Sequence, residues 1–389
     1  MIMIIKQQKK DLQPLLHRKG IDAYLMYTDS IRSADMYYIS GFLAGDAFTY
    51  LYKNKDILLV SSMEKERAKK ESRITDVRST SDYGSKELLK IHKDPAEVYS
   101  RLLVQLLKEE ECSSIAVPEE FPLFFADHLR DEGINITCIT SPIRKLREKK
   151  TKTEIKAISN TQRACELSAS KAIDLIRSSK ISGDELTING RPLTSEYIKA
   201  AIHHSLLDSG CEAQGTIVAC GPRSCDPHWE GEGVLKAHQQ IILDIFPRNM
   251  VSRYYSDMSR TVVRGKPDPK IKEMYEAVLA AQQVGFDLIE PGANSSEIHQ
   301  AVCDSFADAG FTVGEDEGFI HSTGHGVGID IHERPGIGPQ QDILDIGNVI
   351  TVEPGLYYHD VGGVRIEDMV VVTDKGCNNL TMLNKNLQL

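Results

Sequence analysis

The segment HSTGHGVGIDIHE, His321 to Glu333, sets three histidines among three glycines and closes on an acid. Glycine puts no side chain in the way, so imidazoles on such backbone can come close to a metal ion or a reacting group. Four carboxylates add to the chemistry. Asp244, Asp257, Glu353 and Glu367 interrupt the apolar runs QQIILDIF, RYYSDMSRTVV, NVITVEPGLYY and GGVRIEDMVVV. A buried, unpaired carboxylate is costly, so each needs a partner. For any one of them an arginine or a strand end is as good an account as function; four together point to cations.

Spacing supports that reading. QQIILDIF and RYYSDMSRTVV flank a polar stretch around Arg248 to Ser252. The simplest model is an antiparallel hairpin centred between Met250 and Val251, with Asp244 directly opposite Asp257. Opposed like charges are destabilising, and a bound cation reverses the sign. In GGVRIEDMVVV, alternation sends Arg365 and Glu367 to one face and Ile366 and Asp368 to the other. Glu353 stands where Pro354 and Gly355 break a ladder, free to point into a cavity. With one imidazole from GHG, four carboxylates and a histidine form an oxygen-rich set suited to Mn²⁺, Co²⁺, Fe²⁺ or Zn²⁺. Four negative charges call for two divalent cations.

Two kinds of scaffold position these residues. Through residue 150 the pattern alternates. IDAYLMY, FTYLYK, DILLV, SSIAV and INITCIT read as strands, and AEVYSRLLVQLLKEE and PLFFADHLRDEG as helices, an α/β domain. RKLREKKTK, Arg144 to Lys152, reads as a solvated connection or a charged helix face, and either puts a boundary near residue 150. From residue 151 to 389 long helical stripes dominate. EIKAISNTQRACELSASKAIDLI, PKIKEMYEAVLAAQQVGFDLI and SSEIHQAVCDSFADAG, the last with Asn294 as a candidate cap, mix with the four acid-bearing strands. Without regular βαβ alternation, this is an α+β domain.

Composition excludes whole classes. A net charge of −10 argues against a nucleic-acid partner. MIMII, five apolar residues before KQQKK, is too short for a signal-peptide core or a membrane span. Eight scattered cysteines lack the pairing of a secreted disulfide scaffold, and CGPRSC has no second thiol pair to complete a zinc knuckle. A reduced, cytoplasmic protein is expected.

Asp244, YSDMSRT around Asp257, TGHGVG around His325, HERP at His332, VEPG at Glu353 and VRIED at Glu367 occur in the order of the pita-bread metallopeptidases. The chain resembles the Xaa-Pro aminopeptidase and prolidase branch from about Thr153 onward, and its first domain resembles the creatinase N-terminal domain. The resemblance implies a pita-bread catalytic domain, 151–389, behind a creatinase-like domain, 1–150. It implies two divalent cations, Mn²⁺ or Co²⁺ first and Zn²⁺ or Fe²⁺ as alternatives. Asp257, His325, Glu353 and Glu367 would hold one, and Asp244 with Asp257 and Glu367 the other. A hydroxide bridging two such ions is a nucleophile near neutral pH. Glu353 would accept the proton, His228 in DPHWEGEG would face substrate near the scissile bond, and His332 would steady the oxyanion. Substrates would be peptides with proline in second position, and a homodimer is implied.

Two departures stand out. Phe246 replaces the glycine common two residues after the first ligand. HERPGIG offers Gly336 where some dipeptidases of the family carry a carboxylate-binding arginine, although Arg334 or Arg365 is a candidate substitute. An Xaa-Pro aminopeptidase is therefore expected, with an Xaa-Pro dipeptidase as the alternative. A metal-free creatinase-like hydrolase and a non-catalytic binding protein are disfavoured by the intact acids.

Overall fold

The computed structural model describes residues 12–18 and 20–389, so MIMII lies outside the described residues. The chain divides into two compact units, one ending at Arg147 and one spanning Glu148–Leu389.

In the first unit a six-stranded sheet runs β4-β3-β2-β1-β5-β6. Its strands are β1 (Ala23–Thr28), β2 (Phe48–Tyr52), β3 (Asp56–Val60), β4 (Asp76–Ser79), β5 (Ser114–Val117) and β6 (Asn135–Cys138). Pairing is antiparallel from β1 through β3 and parallel elsewhere. Helices Pro95–Glu109 and Leu123–Asp131 bury Leu102, Leu103, Leu106 and Leu129 against one face. Strand β4 and the short helices Ala34–Ser40, Lys65–Glu71 and Ser85–His92 were not anticipated; β4 has only four residues and its sequence, DVRS, is half charged.

The basic run is not a solvated connection. Its first half closes helix Pro142–Glu148, where Arg147 is buried and its Nη1 lies 2.6 Å from Asp35 Oδ1. Lys150, also buried, pairs with Glu333 Oε1 at 2.5 Å. Charge in sequence implies exposure only where no buried counter-charge waits, and both partners lie more than a hundred residues away in the chain.

The second unit builds two helix-covered sheets. Helix Lys152–Ser178 starts on a capping box, in which Thr151 and Glu154 satisfy each other's backbone N–H groups. Its apolar stripe and that of helix Ser195–Asp208 pack on a three-stranded sheet of Ile217–Cys220, Gln240–Ile245 and Met258–Val263. Helices Pro269–Leu288 and Ser295–Asp308, the latter capped by Asn294 on the Ser296 N–H, cover the other half. There a five-stranded sheet orders Glu333–Ile337, Gly324–Gly326, Val349–Val352, Asp368–Thr373 and Gly376–Asn379. Strands Gly355–Tyr358 and Gly362–Arg365 pair with each other beside it. Two of the expected strands are thus split, one at Glu353–Pro354 and one at Ile366–Glu367.

The hairpin register differs from expectation. Asp244 pairs with Ser259, not Asp257, and the pairing continues through Ile245 and Met258. The turn centre shifts to between Val251 and Ser252, because Asn249 Oδ1 accepts both of their N–H groups and Arg253 takes φ +66°. Asp257 lies two residues from Ser259, so alternation still sends both aspartates to one face.

Candidate active site

All eight residues singled out for chemistry, Asp244, Asp257, His325, Glu353, Glu367, His228, His332 and Arg365, line one cavity of about 810 Å³ in the second unit. Asp244 reaches it from inside a paired strand, whereas several of the others come from places where regular structure stops or bends. Asp257 precedes the first residue of its strand, and Glu353 and Glu367 occupy the two strand breaks. His325 is central in Gly324–Gly326, where the register shifts between the two glycines. A side chain at Gly324 would sit 2.0 Å from the Thr351 carbonyl oxygen, so only glycine permits that approach.

His325 Nδ1 faces the Gly326 carbonyl at 3.1 Å. In the neutral ring this is the N–H, leaving Nε2 to act as acceptor. Nε2 lies 3.2 Å from Glu353 Oε1 and 3.6 Å from Asp257 Oδ2. Asp257, His325 and Glu367 present ligand atoms all within 4.8 Å of one another. Asp244 and Glu353 stand at the margin of that set. Asp244 Oδ2 accepts from Arg365 Nη2 at 2.7 Å, and Glu353 Oε1 accepts from Thr351 Oγ1 at 3.1 Å.

Arg365 spends its nitrogens within the protein, on Asp244, on Ser259 Oγ at 2.9 Å and on Tyr357 Oη at 2.7 Å. A substrate role for it requires exchanging one of these partners. Ser259 Oγ donates in turn to Glu367 Oε2 at 3.1 Å. His321 turns Nδ1 to the Ser322 carbonyl and Nε2 to Tyr357 Oη at 3.1 Å, and burial followed by the Arg365 charge lowers its pKa to about 4. It is a neutral acceptor that fixes Tyr357, and hence Arg365. Sequence reading missed Ser259, Thr351 and Tyr357; hydroxyls one ladder position or one strand away carry no motif. Tyr254, three residues before Asp257, donates its hydroxyl to Glu154 Oε1 at 2.6 Å.

The acids share one electrostatic predicament. Burial, then the charges of Asp244 and Glu353, pushes Asp257 well above the carboxylate range. Burial, then Asp257, does the same to Glu367, and burial raises Glu353 to about 7. His325 and His332 are lowered by burial, so they stay neutral near pH 7. Asp244 Oδ1 and Glu367 Oε1 are buried with no hydrogen-bond donor in reach. Repelling acids, orphaned oxygens and one lone-pair nitrogen fit divalent cations.

His332 stacks edge-on against His325 with ring centres 4.4 Å apart. Pro227, His228 and Glu230 form part of the wall, whereas Trp229 packs behind it on Ile217, Ala219 and Ile242, with Arg223 stacked 4.2 Å above its ring. Phe246 does face the cavity, its ring against Gly215, where a Cβ would meet it at 3.0 Å.

Comparison with known proteins gives two family matches. The model of metallopeptidase family M24 matches residues 156–374, and that of the creatinase/prolidase N-terminal domain residues 9–149. The Xaa-Pro dipeptidase of Pyrococcus horikoshii is 30% identical over 393 residues, covering 99% of both chains. Among solved structures, an Xaa-Pro dipeptidase from Bacillus anthracis matches with TM-score 0.83 at 26% identity, covering 99% of each chain. The X-Pro aminopeptidase from Thermotoga maritima matches with TM-score 0.77 at 26% identity over 95% of this chain and 98% of that one.

Proposed function

The chain belongs to metallopeptidase family M24, and from that premise we propose that it hydrolyses the bond before proline at the N terminus of peptides. The carrying observation is the convergence of Asp244, Asp257, His325, Glu353 and Glu367 in one cavity, with oxygens of Asp244 and Glu367 left without donors. These five would hold two divalent cations, Mn²⁺ or Co²⁺ before Zn²⁺ or Fe²⁺, since the donor set is mostly oxygen. Bound cations supply activation of water and polarisation of the scissile carbonyl. The protein supplies the rest. Glu353 takes the proton released on attack, His332 donates to the developing oxyanion, and His228 meets the substrate beside the scissile bond. Arg365, through Asp244 and Tyr357, keeps the acid cluster in place.

Two substrate lengths each have support. The relatives' names, over whole-chain matches, favour Xaa-Pro dipeptides. Gly336 favours longer peptides, because a dipeptide's carboxylate would need a bidentate cation and Arg334 Nη1 is drawn to Asp342 at 3.3 Å. Comparing kcat/KM for Ala-Pro, Ala-Pro-Ala and a longer Xaa-Pro peptide separates them. Exhaustive chelation should abolish all three activities and Mn²⁺ or Co²⁺ restore them; full activity in protein shown by elemental analysis to be metal-free would end the proposal.

Residues 1–150 would serve as an accessory domain to a catalytic domain of 151–389. A cytoplasmic setting is supported by eight unpaired thiols, and a homodimer by the family resemblance. Among the described residues no helix is long and apolar enough to cross a membrane.

A further inference from the structure

Both strand breaks that present acids leave a carbonyl to be satisfied just before the acid. Pro354 has no N–H, so the ladder ends at Glu353, and the second break falls at Ile366–Glu367. The carbonyls of Val352 and Ile366 are met by a single side chain. Gln282, 1% exposed on helix Pro269–Leu288, donates Nε2 to Val352 O at 2.8 Å and to Ile366 O at 3.2 Å. Its Oε1 accepts from Lys385 Nζ at 2.6 Å. That contact fixes which end of the amide carries the donors, because an ammonium can only donate. Lys385 is itself anchored on Asp368 Oδ2 at 2.6 Å.

The helix can bring Gln282 this near because of Gly285, one turn on. A Cβ there would meet Val352 Cγ1 at 3.0 Å. The remaining backbone groups beside the acids are also fixed. Glu353 N–H donates to Thr323 O at 2.8 Å, and Glu367 N–H to Ser259 O at 3.1 Å. Arg260 Nη1 donates to the Glu367 carbonyl at 2.7 Å. Each of those bonds ties one acid to its own neighbour. The ladders join the two segments on either side of the acids, Val352 to Asp368 and Gly355 to Arg365, and Gln282 is the side chain that joins them at the break itself, through Val352 O and Ile366 O.

We propose that Gln282 is a positioning residue for the metal pair, its two N–H donors setting the separation of Glu353 and Glu367. This rests on the proposed role of those acids as ligands. Two cations must share acids at a fixed spacing, so a loosened spacing weakens the second ion more than the first. Loss of an outer partner of a metal ligand typically weakens binding about ten- to a hundredfold.

The test uses the full-length chain stripped of metal and titrated with Mn²⁺ alone. Gln282→Met keeps the volume and removes both donors. Gln282→Glu keeps an acceptor for Lys385 and removes the donors. Gly285→Ala sets a Cβ 3.0 Å from Val352 Cγ1 and so loads the contact between the helix and the strand that ends at Glu353. The expected result is that all three bind the first Mn²⁺ close to normally and the second at least tenfold more weakly. Electron paramagnetic resonance should then show mostly isolated Mn²⁺ at a loading where the unaltered protein shows the exchange-coupled pair. If Gln282→Glu binds the second ion normally, the Lys385 contact rather than the donors does the work and the proposal falls. It falls equally if the variants lose thermal stability yet keep both affinities and the coupled signal. Should Gln282→Met fail to fold, the other two variants carry the same readout. An unaltered protein that binds no Mn²⁺ refutes the metal reading; normal binding there with unchanged variants refutes only the role of Gln282.

Discussion

Metal binding to this site should expel protons, in a number that depends on pH. In the metal-free chain Glu353 titrates at about 7, and Asp257 and Glu367 lie well above their ordinary values. A ligand carboxylate must be ionised to bind a cation. At pH 6 Glu353 is about nine-tenths protonated on that pKa, and at pH 8 about one-tenth. Glu353 alone then releases about 0.9 proton at pH 6, and Asp257 and Glu367, both raised by burial, add to that release. Burial lowers the His325 pKa, which works against proton release from the ring. On Glu353 alone the logarithm of the Mn²⁺ binding constant should therefore climb by about one per pH unit near pH 6, and protons held by Asp257 and Glu367 steepen that slope. Isothermal titration calorimetry in buffers of different ionisation enthalpy counts the protons directly. Release below half a proton at pH 6, with affinity flat from pH 6 to 8, would refute the picture of repelling acids held protonated by burial. The linked stability has a definite sign. An acid whose folded pKa is raised destabilises the fold above that pKa, so the metal-free protein should gain stability as pH falls through about 7. Below about 6.5 the histidines, with lowered folded pKa values, oppose that gain.

Other perturbations probe separate parts of the site. Lys150→Met leaves Glu333 buried without its ammonium partner; it should cost about 3 kcal/mol in denaturant unfolding, with Lys150→Met/Glu333→Gln recovering most of it, and a double variant no better than the single one would show that the pair is not what holds Glu333. His332→Ala should keep metal content and lower kcat, whereas Asp257→Ala should lose metal, as read by elemental analysis beside steady-state kinetics; equal metal loss in both would overturn the division of roles. Phe246→Ala removes an apolar wall two residues from Asp244 and should lower the Leu-Pro over Gly-Pro ratio of kcat/KM about tenfold; an unchanged ratio would show that the ring does not touch substrate side chains.

Much of the site was readable because it is built from short motifs around chemically unusual residues. Four acids in apolar runs and a glycine-flanked histidine are visible without any structure, and all five line one cavity. The hairpin shows how such reading tolerates error. Its register was misplaced by two residues, and Asp244 opposes Ser259. Because side chains alternate with period two, a slip of two keeps the face and a slip of one would have lost it. What stayed hidden depends on partners far away in sequence. Gln282 lies in a helix whose apolar stripe gives no hint that one polar member reaches two carbonyls across the core. Lys150 looked solvated because Glu333 is 183 positions away, and local charge density does not report such pairs.

The strand breaks explain why Glu353 and Glu367 sit where they do. A carboxylate inside an intact ladder is held by its neighbours at the pleat spacing, and its backbone can move only with the whole sheet. At a break the backbone is free to turn the acid toward a common centre, and the carbonyl before it must be satisfied from outside. Val352 and Ile366 receive that donor from Gln282, and the Glu367 carbonyl receives one from Arg260. The arrangement directs acids inward while sending the unsatisfied backbone groups outward to side chains of the surrounding elements. Without cations the inward oxygens repel, as the raised Asp257, Glu353 and Glu367 show. With the backbone pinned from behind, they relieve that repulsion by taking protons rather than by moving apart. If these acids hold cations as proposed, such a site would trade protons for cations, and support behind the acids would matter to it alongside the acids themselves.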